Sequence, residues 1–224
     1  GYNHTCALKE TGEVICWGNP SKGGTNPLPD LFTSLTCGIN NCCGLTGTDG
    51  TEIKCWGDDK DSKSTPYPAA YNAVNAHGWR HACGITTAGS LHCWGQADYK
   101  GAKPTIPPSG VFESLSTGHH FSMALKADGT PVGWGFNGYG QITPPAGEKF
   151  QQVSMGTVHS CGIKLNGELD CWGSNSFKRL DHPDGEFTQL QVSQLHSCAV
   201  NVDGLLACWG TDEYEKMLPA PCAN

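Results

Sequence analysis

At 224 residues, with 38% hydrophobic and 16% charged residues, the chain is long enough for one large domain or two small ones and can build a core. A formal net charge of -7 with no Lys/Arg cluster excludes a nucleic-acid footprint and an anionic-membrane patch, and the short apolar runs exclude direct membrane insertion. No leader is visible at residue 1, so a secretory signal would have been removed or would lie outside this sequence.

The elements run in repeating order. The first is a hairpin from Cys6 to Cys16, turning at Gly12 and ending in Trp17-Gly. An opening segment, residues 32–38, then leads to a second hairpin from Cys43 to Cys55 around Gly50. The third hairpin runs from Cys83 to Cys93 around Gly89, and the fourth turns at Gly129 without cysteines. An opening segment at 150–156 precedes the fifth hairpin, from Cys161 to Cys171 around Gly167, and the sixth runs from Cys198 to Cys208 around Gly204. Trp-Gly recurs at Trp17, Trp56, Trp94, Trp134, Trp172 and Trp209, at intervals of 39, 38, 40, 38 and 37 residues; Trp79 alone stands outside the series. Asp-Gly and Asn-Gly at four of the turns tolerate positive φ and suit tight hairpins.

Thirteen cysteines are unusual in a reducing cytosol and ordinary outside it. Zinc sites favour ligand pairs two to four residues apart; the dominant spacing here is ten, which fits disulfides between facing strands. In the second unit the separation grows to twelve by one residue on each side of Gly50, which keeps the register. In the fourth both cysteines vanish together, leaving Met123 and Gly133, as bonding between the positions predicts. The expected bridges are Cys6 to Cys16, Cys43 to Cys55, Cys83 to Cys93, Cys161 to Cys171 and Cys198 to Cys208. Each would contribute something under ~3 kcal/mol. Cys37 and Cys42 are left to pair with each other or with Cys222, and the odd count allows an intermolecular bond or a free thiol.

A unit of about 38 residues holds three or four short strands, and one such sheet cannot cover both of its faces. Stacking six around an axis can, so the expected fold is an all-β propeller forming a single domain over 1–224, with a solenoid of hairpins as the alternative. Runs such as Glu13-Val-Ile-Cys-Trp17 read as strands covered on both faces, and small Ala7 or Gly84 as room for a tryptophan. The first unit lacks the opening segment and only fifteen residues follow Trp209, so one strand is missing. An upstream extension is the expected completion; imperfect closure, or a strand donated in self-association, are the alternatives.

Gly1-Tyr-Asn-His-Thr-Cys-Ala-Leu8 with Val14-Ile-Cys-Trp-Gly18, and Trp134-Gly-Phe-Asn-Gly-Tyr-Gly-Gln141, resemble the regulator-of-chromosome-condensation repeat family. With cysteines in the hairpins, the chain is similar to the secreted beta-lactamase inhibitory protein of the second type and to crinkly-type receptor ectodomains. The resemblance implies a propeller, usually of seven blades, against six units here, and rim aromatics that carry binding, which supports Tyr2 and Trp79.

No nucleophile elbow, phosphate loop or His-Glu-x-x-His occurs, so no enzyme, cofactor or metal is expected. His4, His81, His159 and His196 share one repeat position and read as structural; His119-His120 reads as an exposed pair and a weak metal candidate. Binding is expected where the scaffold repeats but the residues vary: Tyr2-Asn3, Asn40, Trp79-Arg80 and His119-His120. Tyr99, Tyr139, Phe177 and Tyr214, each five residues past a Trp, suit inter-blade packing or ligand stacking, and Asn3 heads a glycosylation sequon. The expected role is a secreted or extracellular protein-binding module; a glycan-binding lectin and a structural subunit, self-associating through the missing strand or Cys222, are the alternatives. Digestion of the unreduced chain should release each cysteine hairpin as one cross-linked peptide by mass spectrometry; links between different units would overturn the scheme.

Overall fold

The computed structural model describes Gly1 and residues 4–211. Tyr2, Asn3, Tyr214 and Cys222 lie outside the described residues, and with them the sequon and the odd thiol. The fold is an all-β propeller of six antiparallel sheets. Blade 1 contributes β1 (His4–Leu8) and β2 (Val14–Gly18) among the described residues; blade 2 holds β3 (Thr36–Cys37), β4 (Asn41–Thr46) and β5 (Glu52–Gly57). Blade 3 holds β6 (Tyr71–Asn75), β7 (His81–Thr86) and β8 (Leu91–Gly95), and blade 4 β9 (Ser114–Thr117), β10 (Phe121–Leu125) and β11 (Pro131–Gly135). Blade 5 holds β12 (Phe150–Met155), β13 (His159–Lys164) and β14 (Leu169–Gly173), and blade 6 β15 (Phe187–Val192), β16 (His196–Asn201) and β17 (Leu206–Gly210). The opening strands surround an axial channel of about 580 Å³ whose mainly polar wall draws on every blade, from Thr5 and Thr36 to Gln191.

The five hairpin cysteine pairs face each other in register and are bonded, and Cys37 bonds Cys42 across β3 and β4. Met123 faces Gly133 at the same place in blade 4. These hairpins build the core between blades. Phe32 and Trp56 of blade 2 pack on Cys6, Leu8, Val14 and Cys16 of blade 1, and Phe187 and Trp209 of blade 6 pack on Cys161, Ile163 and Leu169 of blade 5. The three junctions between are made alike, with Met123 in place of the disulfide under Phe150 and Trp172. Each of the five covered indoles also donates Nε1–H to a carbonyl on the loop of the preceding blade: Gly24, Lys63, Pro104, Gln141 and Arg179, at 2.9–3.2 Å.

At Gly84 and Gly162 the small residue after the first cysteine of the hairpin serves a different neighbour from the one expected. A Cβ at Gly162 would stand 2.4 Å from Phe150, and one at Gly84 2.7 Å from Tyr71. The space is taken by the aromatic that opens the same blade, not by a tryptophan. The strand around Ile15 also departs from expectation. Trp17 is 53% exposed where the other five repeat indoles are 3–7%, and Leu206 on blade 6 is 54% exposed where Leu91 and Leu169 are buried. Both faces point toward the junction of blades 6 and 1, where the described residues form no sixth core.

A second repeating link runs around the axis. The fifth residue of each opening segment accepts a hydrogen bond from the backbone N–H of the next blade's sixth. Thr36 takes Ala76 at 3.1 Å, Asn75 takes Thr117 at 3.3 Å, Ser116 takes Met155 at 3.1 Å and Ser154 takes Val192 at 2.9 Å. The repeat-position histidines add a third link: His81 meets the Ser122 hydroxyl of the next blade at 2.8 Å and His159 meets Ser197 at 3.0 Å.

Removing Ser154 leaves the buried Val192 N–H without a partner, which costs ~1–3 kcal/mol. Ser154→Ala should lower unfolding stability by about that much in denaturant titration, while exposed Gln191→Ala stays within about 0.5 kcal/mol. Burial pushes His81 down to about 4, with His119 adding to the effect, and His159 down to about 3, with Arg179 and His196 adding to it. The unfolded chain takes up these protons near pH ~6.5. Their contribution is therefore whole above that pH and is lost progressively as pH falls toward 4 and 3. Denaturation curves at neutral and acidic pH should show this slope, flattened in His159→Gln.

Candidate functional site

In every complete blade the opening strand ends, the middle strand begins and the last strand ends at the same side of the ring; His81 opposite Gly95 shows the pairing. The loop after each opening strand and the loop after each Trp-Gly therefore share one face. The hairpin turns occupy the other, where the Phe112, Phe150 and Phe187 N–H groups bond to Gly89, Gly129 and Gly167 carbonyls.

On the loop face, blades 3 and 4 bring the two sets of variable residues together. Trp79 and Arg80 come from the β6–β7 loop, His119 and His120 from the β9–β10 loop, and Tyr99 from the loop after β8. Trp79 stacks on His119 with ring centroids 4.1 Å apart and an interplanar angle of 27°, and Tyr99 lies on His120 at 3.4 Å and 8°. The stacks meet through Trp79 and His120 at 5.4 Å. Phe136 stands edge-on to Tyr99 at 5.4 Å and leads to exposed Tyr139 at 6.2 Å. Cations cap the ledge: the Arg80 guanidinium lies 5.1 Å from the Trp79 centroid and Lys100 Nζ 5.5 Å from that of Tyr99. Asp61, from blade 2, holds Arg80 at 3.5 Å.

The loop after β8 is built to present Tyr99. Tyr99 and Ala102 exchange backbone hydrogen bonds at 3.0 and 2.9 Å, and Lys100 and Gly101 between them have φ of 50° and 81°. That is a two-residue turn of the mirror type, which demands positive φ at both central positions. Lys100 takes the left-handed conformation that a side chain disfavours. The corresponding loops of blades 2 and 5 hold consecutive left-handed residues, Asp61-Ser62 and Phe177-Lys178. Such residues persist where surrounding contacts over-determine them, and they concentrate at functional positions.

The histidine pair differs from the expected exposed doublet. His120 is 2% exposed, roofed by Tyr99, and neither ring nitrogen has a hydrogen-bond partner among the described residues. Burial pushes it down to about 3, helped by nearby cationic groups, and burial with Arg80 pushes His119 down to about 4. Both rings are neutral at physiological pH and act as flat faces. Neither joins a cluster of three or more metal-ligating groups among the described residues.

The remaining candidates stand apart. The Asn40 carbonyl accepts the Asp58 N–H at 2.9 Å within its own blade. Phe177 is exposed on blade 5 with the Arg179 guanidinium 5.0 Å from its ring. Sequence reasoning missed Phe136, Lys100 and Asp61. Phe136 carries the plainest signal, an aromatic directly after a Trp-Gly.

A family model for the regulator of chromosome condensation (RCC1) repeat matches residues 1–23 and 150–179, which are hairpin 1 and blade 5 with their following loops. Those two stretches thus resemble the RCC1 repeat. The chain is 27% identical over 154 residues, 63% of its length, to the ultraviolet-B receptor UVR8 of Arabidopsis thaliana, and the match spans 29% of that receptor. Among solved structures it is similar to the CRINKLY WD40 ectodomain of the Arabidopsis thaliana receptor kinase ACR4. That match is 28% identical, covers 93% of this chain and 77% of the other, and has a TM-score of 0.76. Prp20p of Saccharomyces cerevisiae shares the fold at 17% identity and a TM-score of 0.80, over 94% of this chain and 70% of its own. A propeller fold shared with Prp20p is thus compatible with cysteine-stapled hairpins.

Proposed function

We propose that the chain is a non-enzymatic extracellular binding module that takes a protein partner on its loop face, centred on blades 3 and 4. The observation that carries this reading is the ledge of Trp79, His119, His120 and Tyr99 with Arg80 and Lys100 above it. Tryptophan, tyrosine and arginine supply large rigid contact area and dominate the energetics of protein interfaces. The rings are pre-stacked, so ordering them on binding costs little entropy. Six disulfides in the fold, and likeness to a receptor ectodomain, support an oxidising, extracellular setting. The crystallographic description of Prp20p reports binding to Gsp1p and histones, so this fold serves protein recognition elsewhere.

A glycan reading needs several equivalent open rings. Tyr99 has one face stacked on His120, Phe177 is partnered by Arg179, and Tyr139 leans on Phe136, so these three positions are not equivalent.

The test is affinity capture from secreted and cell-surface protein fractions, run beside a glycan array. Wild type should retain a protein partner, and Trp79→Ala should weaken that complex by ~2 kcal/mol, about 30-fold, with Tyr99→Ala similar and exposed Leu165→Ala neutral. Undiminished binding by both ledge variants, or binding to glycans alone, would refute the reading.

A further inference from the structure

Two disulfides touch at the junction of blades 1 and 2. Cys6, bonded to Cys16, brings its sulfur to 3.6 Å from the sulfur of Cys42, which is bonded to Cys37. His4 aims Nε2 at the same Cys42 sulfur from 3.1 Å. The ligand atoms of His4, Cys6, Cys37 and Cys42 all lie within 4.8 Å of one another, and no other cluster of this kind forms among the described residues. At the equivalent positions of blades 3 and 5, the histidine meets a serine hydroxyl instead.

Four ligand atoms so gathered match a tetrahedral zinc site. With Zn–S near 2.3 Å and Zn–N near 2.0 Å, sulfur-to-sulfur edges are about 3.8 Å and sulfur-to-nitrogen edges about 3.5 Å. Once the two S–S bonds open, adjustments on the order of 1–2 Å give those edges. Cys6 and Cys37 line the axial channel, which gives a reductant and an ion a route from solvent.

We propose that reduction of these two disulfides converts the junction into a Cys3His zinc site ligated by His4, Cys6, Cys37 and Cys42. A dithiol supplies two electrons and two protons to each disulfide and leaves as its own disulfide; the protein gains four thiols. Zinc then takes the lone pair of His4 Nε2 and displaces three thiol protons to solvent, giving a site of net charge −1. Cys16, facing Cys6 across the ladder, remains a free thiol. One metal then ties blade 1 to blade 2 in place of two cross-links that each lie within a single blade. This inference is independent of the loop-face reading.

The experiment uses the whole chain, reduced anaerobically with a dithiol, freed of it, and given zinc chloride alone, with cobalt in parallel. The expected result is one zinc per chain by mass-spectrometric metal analysis and the visible bands of a tetrahedral thiolate cobalt site. His4→Ala and Cys42→Ser should weaken binding roughly tenfold or more. The double variant Cys161→Ala/Cys171→Ala, which removes thiols from blade 5, should still bind one zinc. If the reduced chain loses its fold, zinc should restore the buried-tryptophan emission in wild type and not in His4→Ala, because metal binding is then linked to folding. Absence of stoichiometric zinc together with absence of rescue, or equal loss in the Cys161/Cys171 double variant, would overturn the proposal.

Discussion

The structure depends on one contact made five times: the tryptophan and opening aromatic of each blade buried against the cysteine hairpin of the blade before it. A three-stranded sheet of about fifteen residues has too little apolar surface to hold itself together. Stacked, each sheet covers its neighbour, and the indole N–H finds a carbonyl on the preceding loop, so burial leaves no donor unpaired. A disulfide suits the receiving side because it is compact and apolar and holds two facing strands in register. Blade 4 shows that the requirement is shape, since Met123 fills the same place without a bond.

That division of labour frees the loop face. Axial hydrogen bonds accepted by Thr36, Asn75, Ser116 and Ser154, with the buried His81 and His159, tie blades 2 to 6 in succession. The loops beyond the strand ends give these repeating links only backbone carbonyls, as at Gly24 and Lys63, so their side chains are free to vary. Their side chains therefore differ from blade to blade, and at blades 3 and 4 they converge into a stacked aromatic ledge. The positive-φ residues Lys100, Asp61 and Phe177 sit where the loops must turn back sharply.

Much of this was legible in the residues. Trp-Gly at near-constant intervals and paired cysteines flanking a turn glycine imply hairpins in a ring, because few other arrangements satisfy both regularities. The joint loss at Met123 and Gly133 reports their pairing without any coordinates. Other features were not legible, for physical reasons. That Trp79 and Tyr99 converge on the same histidine pair depends on two loops from one blade folding toward the next, a distance no one-dimensional spacing encodes. His120 reads as polar and exposed, yet Tyr99 roofs it. The aromatic beside Gly162 comes from the same sheet, and only the pleat decides that. Trp17 and Leu206 look like core by repeat position, but burial belongs to a pair of surfaces and their partner is not among the described residues.

The missing disulfide of blade 4 gives the chain an uneven response to mechanical load. In each stapled hairpin a covalent bridge shields the nine or eleven residues between its cysteines from a pull along the backbone. About 35 Å of contour per hairpin is thereby withheld from extension. Among the six hairpins, the fourth has no such lock. Under tension it is the hairpin that can be drawn out completely, in the middle of the molecule and in the blade that carries the histidines of the ledge.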